Sequence, residues 1–107
     1  MELFHLNDMI KGWFIGDFEP TLLKTQDFEI ALKRYKKGDY ESAHFHKLAE
    51  EFTIIVSGEV LMNNVKYSEN DIIKINKNET TDFKAITDVI TVVVKVPSSK
   101  NDKYEAY

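Results

Sequence analysis

Cysteine is absent from the 107 residues, which excludes disulfides and thiolate-ligated zinc. A basic surplus is also missing. The formal net charge is -4, whereas general affinity for nucleic acid needs a basic surface to meet phosphate. No apolar run approaches the roughly 20 residues that a membrane-spanning helix requires. The first residues, Met1 to Asp8, lack the basic start and long apolar stretch of a secretory signal. A soluble cytoplasmic protein is therefore the expectation. Histidine is scarce: His5, His44 and His46 are the three in the chain, so a site built on imidazole has few places to form.

What is present suits one domain with a single packed core, at 43% hydrophobic and 12% aromatic residues. Chemistry concentrates between Gly38 and Gly58. His44 and His46 are two apart, so on a β-strand both imidazoles point to one face. Glu51 follows, at the start of an alternating apolar run. Two imidazoles and a carboxylate form a plausible ligand set for a divalent metal. Adjacent strand residues face opposite ways, which makes Glu51 the inward carboxylate and Glu50 a surface charge.

Residues 1–27 are the least regular. Leu3, Leu6, Ile10 and Trp13 fall at near-helical spacing, with Asn7 or Asp8 as caps. Trp13-Phe14-Ile15, bracketed by Gly12 and Gly16, reads instead as a strand or packed loop. Pro20 interrupts regular structure, and this segment is expected to pack on the main body as a lid or edge.

From Phe28 onward the pattern is one of strands. Phe28, Ile30 and Leu32 alternate with Glu29, Ala31 and Lys33, as in a half-buried strand. Continued alternation places Arg34 on the face of Phe28, Ile30 and Leu32. Arg34 is then either part of a solvated basic strand end or a residue at the rim of an internal pocket, facing an anionic ligand. Further strands are expected over Glu51–Ser57, Glu59–Met62, Val65–Tyr67, Ile72–Ile75, Thr81–Ala85 and Val89–Val96. Asn63-Asn64 marks a hairpin, since asparagine tolerates left-handed backbone. Strands at this spacing indicate an all-β sandwich or barrel. Val89–Val96 is apolar on both faces and so requires cover on both. The N-terminal segment or a second copy must supply it, and a homodimer is expected. After Pro97 the chain turns polar, and 97–107 is expected to be a loosely held tail.

The spacing Gly38, five residues, His44-x-His46, four residues, Glu51, six residues, Gly58 resembles the first signature of the cupin superfamily, over roughly residues 28–96. The resemblance implies a double-stranded β-helix, a jelly-roll barrel with its site inside. It leaves 1–27 as an N-terminal extension and 97–107 as a tail. In the second cupin signature, Asp71 and Phe83 fit, but Thr81 stands where the last histidine ligand belongs. A threonine hydroxyl is a poor ligand for a transition metal. The implied metal ligands are His44, His46 and Glu51, helped by Asp82, Glu79 or water, and the implied ion is iron, manganese, nickel or zinc. Arg34 and Thr81 are the candidate ligand contacts.

Three functions are compatible with this pattern. In the first, a divalent ion on His44, His46 and Glu51 presents open positions to a small, sugar-derived or other, molecule. In the second, the stretch His44-Phe45-His46-Lys47 through Val56-Ser57-Gly58 is similar to metal-independent cupin ketoisomerases and epimerases acting on nucleotide-linked keto-deoxysugars. There His44 and His46 would serve as general base and acid. Glu51 occupies that group's glutamine position, and Glu41-Ser42-Ala43 stands where its arginine would be. In the third, the barrel is a non-catalytic ligand-binding module.

Overall fold

The computed structural model describes residues 1–106. A 3₁₀ turn at Leu6–Asp8 precedes ten strands: β1 (Trp13–Ile15), β2 (Glu29–Tyr35), β3 (Tyr40–Phe45), β4 (Glu50–Ser57), β5 (Glu59–Met62), β6 (Val65–Ser68), β7 (Ile72–Ile75), β8 (Thr81–Ala85), β9 (Val89–Val96) and β10 (Tyr104–Glu105). Two five-stranded sheets face each other, in the orders β1-β2-β9-β4-β7 and β10-β3-β8-β5-β6. Every strand pair is antiparallel. The all-β barrel expected from the sequence is the fold observed. No helix among the described residues is long and apolar enough to cross a membrane.

Turn chemistry fixes the register. Asn63 and Asn64 adopt φ of 51° and 64°, the left-handed pair that a tight hairpin between β5 and β6 demands. Gly58, at φ 92°, joins β4 to β5. A Cβ there would lie 2.2 Å from the Asp88 carbonyl oxygen, so the turn needs glycine for space as well as for conformation.

The barrel is filled at one end and hollow at the other. Ile55, Val60, Met62, Ile75, Phe83, Ala85 and Val89 pack into the buried core. Toward the opposite end the inward positions become polar: along β4 they run Ile55, Thr53, Glu51, and along β9 Thr91, Val93, Lys95, with Glu51 paired to Lys95 and Thr53 to Val93. Burying polar side chains over one end of a small core costs stability unless they are used.

Two expectations are corrected here. The helical spacing of Leu3, Leu6, Ile10 and Trp13 yields only the Leu6–Asp8 turn; Leu3 and Ile10 are exposed, and Trp13 sits in β1, paired with Ala31. The polar tail is not loose. Ser98 and Asp102 are buried, the Asp17 N–H donates to Ser98 Oγ at 2.9 Å, and β10 adds to the edge of β3. Polar residues hold the tail through hydrogen bonds that hydropathy does not register. Tyr107, the last residue of that expected tail, lies outside the described residues.

Candidate functional site

The hollow end encloses a cavity of about 70 Å³ lined by Trp13, Lys33, Tyr35, His44, Glu51, Thr81 and Lys95 among others. His44 lies near the end of β3, opposite Thr81 of β8. His46 follows just beyond that strand. Both rings are buried, and their centroids are 5.3 Å apart, as the two-residue spacing requires of one strand face.

Each imidazole is oriented through Nδ1. His44 Nδ1 lies 3.0 Å from the Ser42 carbonyl oxygen, and His46 Nδ1 lies 2.6 Å from that of Asp102. A carbonyl only accepts, so Nδ1 bears a proton in both rings, and in a neutral ring Nε2 then keeps its lone pair. The buried Nε2 of His46 has no hydrogen-bond partner. Glu51 Oε1 lies 3.9 Å from it. Burial, then the nearby Lys95 charge, holds the His46 imidazolium pKa below its ordinary value, against the opposing pull of the Asp102 carbonyl and Glu51. Neutral His46 is the favoured form. Glu51 also accepts from Thr53 Oγ1 at 3.1 Å.

These donors suit a divalent ion in kind: two imidazoles, that of His46 with an unpartnered Nε2, and a carboxylate. Among the described residues, however, no three His, Asp or Glu side chains are gathered closely enough to close a metal shell. Thr81 is buried beside His44 but its hydroxyl donates to the Asp82 carbonyl at 2.9 Å. Asp82 and Glu79 serve the protein elsewhere: Asp82 Oδ1 accepts the Asn63 N–H and Glu79 Oε1 the Asn76 N–H. Glu50 points outward and pairs with Lys74 at 3.2 Å.

Arg34 takes the solvated of its two expected places and not the rim of the internal pocket. It is exposed and outside the barrel cavity, lining a shallower cleft against the N-terminal segment that shares Lys33, Tyr35 and Glu41 with the cavity. The inward face of β2 is Ala31, Lys33 and Tyr35; Ile30, Leu32 and Arg34 take the outer one. Aliphatic residues on the outer face made it resemble the core side. The alternation itself was legible, but its phase was not, because the inner face is polar where the cavity lies.

Sequence reasoning also missed the lysines. Lys33 and Lys95 each place Nζ 5.2 Å from the centroid of the Trp13 ring. Tyr35 donates its hydroxyl to Glu41 Oε1 at 2.9 Å, and burial together with that carboxylate raises the phenol pKa well above its usual range.

No family model matches the chain, and no curated protein matches it. Solved structures do. An uncharacterised protein with a double-stranded β-helix domain from Klebsiella pneumoniae is 16% identical, with a TM-score of 0.72 over 97% of this chain and 90% of its own. An RmlC-like cupin from Shewanella frigidimarina is 16% identical, with a TM-score of 0.65 over 71% of each chain. The DMSP lyase DddQ from Ruegeria pomeroyi is 17% identical, with a TM-score of 0.73 over 89% of this chain and 50% of its own. At such identities the likeness is one of fold. Two facing antiparallel sheets with a filled end and a hollow end give this chain the double-stranded β-helix fold of these structures; His44 lines the cavity, whereas His46 lines a neighbouring cleft with Ala49, Lys95 and Asp102.

Proposed function

We propose that the barrel binds or transforms a small molecule at His44, His46 and Glu51, side chains that would have to draw closer than they stand here to share a divalent ion. One observation carries this reading: His46 Nε2 is buried, unpartnered and turned toward a carboxylate 3.9 Å away. A buried polar atom without a partner costs about 1–3 kcal/mol, and a metal ion would satisfy the Nε2 lone pair. Nδ1 bonds to main-chain carbonyls fix both rings in the tautomer that ligation needs. A bound ion would supply Lewis acidity toward a substrate oxygen. The chain's own part is to orient the rings, to keep His46 neutral, and to hold a substrate in the cavity. That one fold neighbour is a lyase, DMSP lyase DddQ, agrees with small-molecule chemistry on this fold.

The test is elemental analysis of untagged protein purified without chelators, followed by titration with zinc, manganese, nickel or ferrous iron. The expected result is about one ion per chain, with water or substrate completing its shell. His44→Ala with His46→Ala should abolish binding while circular dichroism stays unchanged. Stoichiometric metal in that double variant would overturn the assignment.

A second reading is favoured by Thr81 in place of a third histidine and by the Lys95 charge beside His46. In it, His46 and His44 exchange a proton next to a carbonyl without metal, on a keto-sugar nucleotide or a related carbonyl compound. Solvent-deuterium exchange into such a substrate by chelator-treated protein distinguishes it. Exchange in neither state, with ligand binding retained, leaves a non-catalytic binding module.

The proposal includes a second copy of the chain. On the outer face of the first sheet run the aliphatic and aromatic rows Ile30–Val94–Phe52 and Leu32–Val92–Ile54–Ile72, half-buried except at Ile72. Ile72 is 65% exposed, and neither sheet of the fold packs on this face. A contiguous apolar face of this kind is a surface for association.

A further inference from the structure

Two lysines of the hollow end are unpaired. Lys33 on β2 and Lys95 on β9 approach one indole ring, Trp13, at equal centroid distances of 5.2 Å. None of the ion pairs among the described residues includes either of them. Of the carboxylates that share their cavity, Glu41 accepts from the Tyr35 hydroxyl, Glu51 from Thr53 and Asp82 from the Asn63 N–H, and none forms an ion pair with either lysine. Burial pushes the Lys33 pKa down, Glu41 opposes this, and the Lys95 charge adds to it. Like charges brought together in a partly desolvated site repel strongly, and cation–π contact with one ring offsets only about 1–2 kcal/mol. On the same wall, paired in register with Lys33, Thr91 is fully buried. It lines the cavity, and its hydroxyl has no partner in the protein. Two cations without an ion-pair partner and one orphaned hydroxyl face this cavity of about 70 Å³.

We propose that the barrel interior selects a small organic anion, whose carboxylate or phosphate group is held by Lys33 and Lys95 beside Trp13 while a polar atom of its body meets the Thr91 hydroxyl. This deepens the small-molecule reading of the cavity and rests on it, but it does not depend on the metal. The arrangement places the body of the anion toward His44 and Glu51, which line the same cavity. An uncharged analogue would leave both ammoniums without a close ion-pair partner, and such a site discriminates against it through the unpaired groups left behind.

Trp13 is the single tryptophan of the chain, so its emission reports on this site without labelling. The experiment titrates chelator-treated and zinc-treated protein, at fixed ionic strength, with lactate, with its uncharged isostere lactamide, and with inorganic phosphate. The expected result is a saturable change in Trp13 emission with lactate and little with lactamide. A response to phosphate alone also supports an anion site and assigns the phosphoryl source; a response to lactate alone assigns the carboxylate. Lys33→Met and Lys95→Met should each weaken binding by about tenfold, with Lys95→Arg close to wild type. Thr91→Val should fold at least as stably as wild type, since a buried unpaired hydroxyl is lost, yet bind lactate several-fold more weakly. A merely structural threonine would show the reverse.

The proposal is overturned if lactamide perturbs Trp13 emission as strongly as a lactate that responds, if neither lactate nor phosphate perturbs Trp13, or if folded Lys33→Met and Lys95→Met bind as wild type. The chelator-treated arm keeps these outcomes separate from failure of the metal reading. An anion response without metal stands whether or not His44 and His46 take up zinc.

Discussion

His46 Nδ1 donates to the main-chain carbonyl of Asp102 across 2.6 Å, joining the His-x-His pair to a residue 56 positions later in the chain. The Asp102 carboxylate reinforces the same junction by accepting the N–H groups of Lys47, Leu48 and Ala49, at 2.9 to 3.1 Å. Asp102 therefore clamps the β3–β4 loop between His46 and Glu51 from both its main chain and its side chain.

Replacing Asp102 by alanine removes the acceptor of three N–H groups in one loop. Hydrogen bonds to a charged acceptor contribute more than neutral ones, and a loss of about 2–4 kcal/mol in urea or thermal unfolding is expected. Asp102→Asn, which keeps an acceptor oxygen, should lose less. If Asp102→Ala unfolds at the wild-type midpoint, the tail does not hold the loop.

His46 gives the metal-free protein a defined acid response. Burial and the Lys95 charge lower its pKa in the folded state, below the ordinary 6.5 that holds when unfolded. The unfolded chain then binds the proton more readily over the interval between the two values, so stability is full above pH 6.5 and falls as pH drops through the folded value. Glu51 and the Asp102 carbonyl oppose the shift, and His44 adds to it. Thermal midpoints measured from pH 7.5 down to about pH 5 should decline more steeply in wild type than in His46→Gln. Parallel curves would mean that His46 is not kept neutral by its surroundings.

Much of the barrel was legible, because its later strands announce themselves. Ile72–Ile75, Thr81–Ala85 and Val89–Val96 begin and end where the alternation and the turn residues place them, and Asn63-Asn64 adopts the left-handed pair that its residue type favours. The paired histidines and an inward Glu51 follow from a two-residue period that any strand obeys. What was hidden is where polarity is used indoors. Ala31, Lys33 and Tyr35 look like the solvent side of β2 because a cavity wall is polar by purpose, while Ile30 and Leu32 look like core on a face that neither sheet packs on. The same reversal hid Asp102, whose polar neighbours suggest a free tail until its oxygens find the β3–β4 loop. Composition reports the average environment of a residue, and sites depart from that average.

The outer face of the first sheet makes a prediction about assembly. Val92 and Ile54 sit at the centre of its apolar rows. Light scattering of the wild-type protein at micromolar concentration should give twice the 12.5 kDa chain mass. Val92→Lys should give the monomer with the sheet intact, because a charge at the centre of such a face cannot be desolvated without a partner. A monomeric wild type would mean that the face stays open to water.

Thr81 offers the sharpest test of the metal site, because it stands directly across from His44 in the register of β3 and β8. Its side chain is buried at the cavity wall and spends its hydroxyl on the Asp82 carbonyl rather than on the histidines. Thr81→His would place a third imidazole beside His44, at the position that completes the ligand set. Zinc binding measured by calorimetry should tighten by at least about tenfold, or 1.4 kcal/mol. The larger ring should cost about 1–3 kcal/mol in the metal-free protein, since it must enter a packed wall. Added zinc should then raise the thermal midpoint more in this variant than in wild type, because a ligand that binds only the folded state stabilises it in proportion to its affinity. A folded Thr81→His protein that binds zinc no more tightly would show that the inward faces of β3 and β8 do not converge on a metal, and would turn attention to the histidines as acid and base.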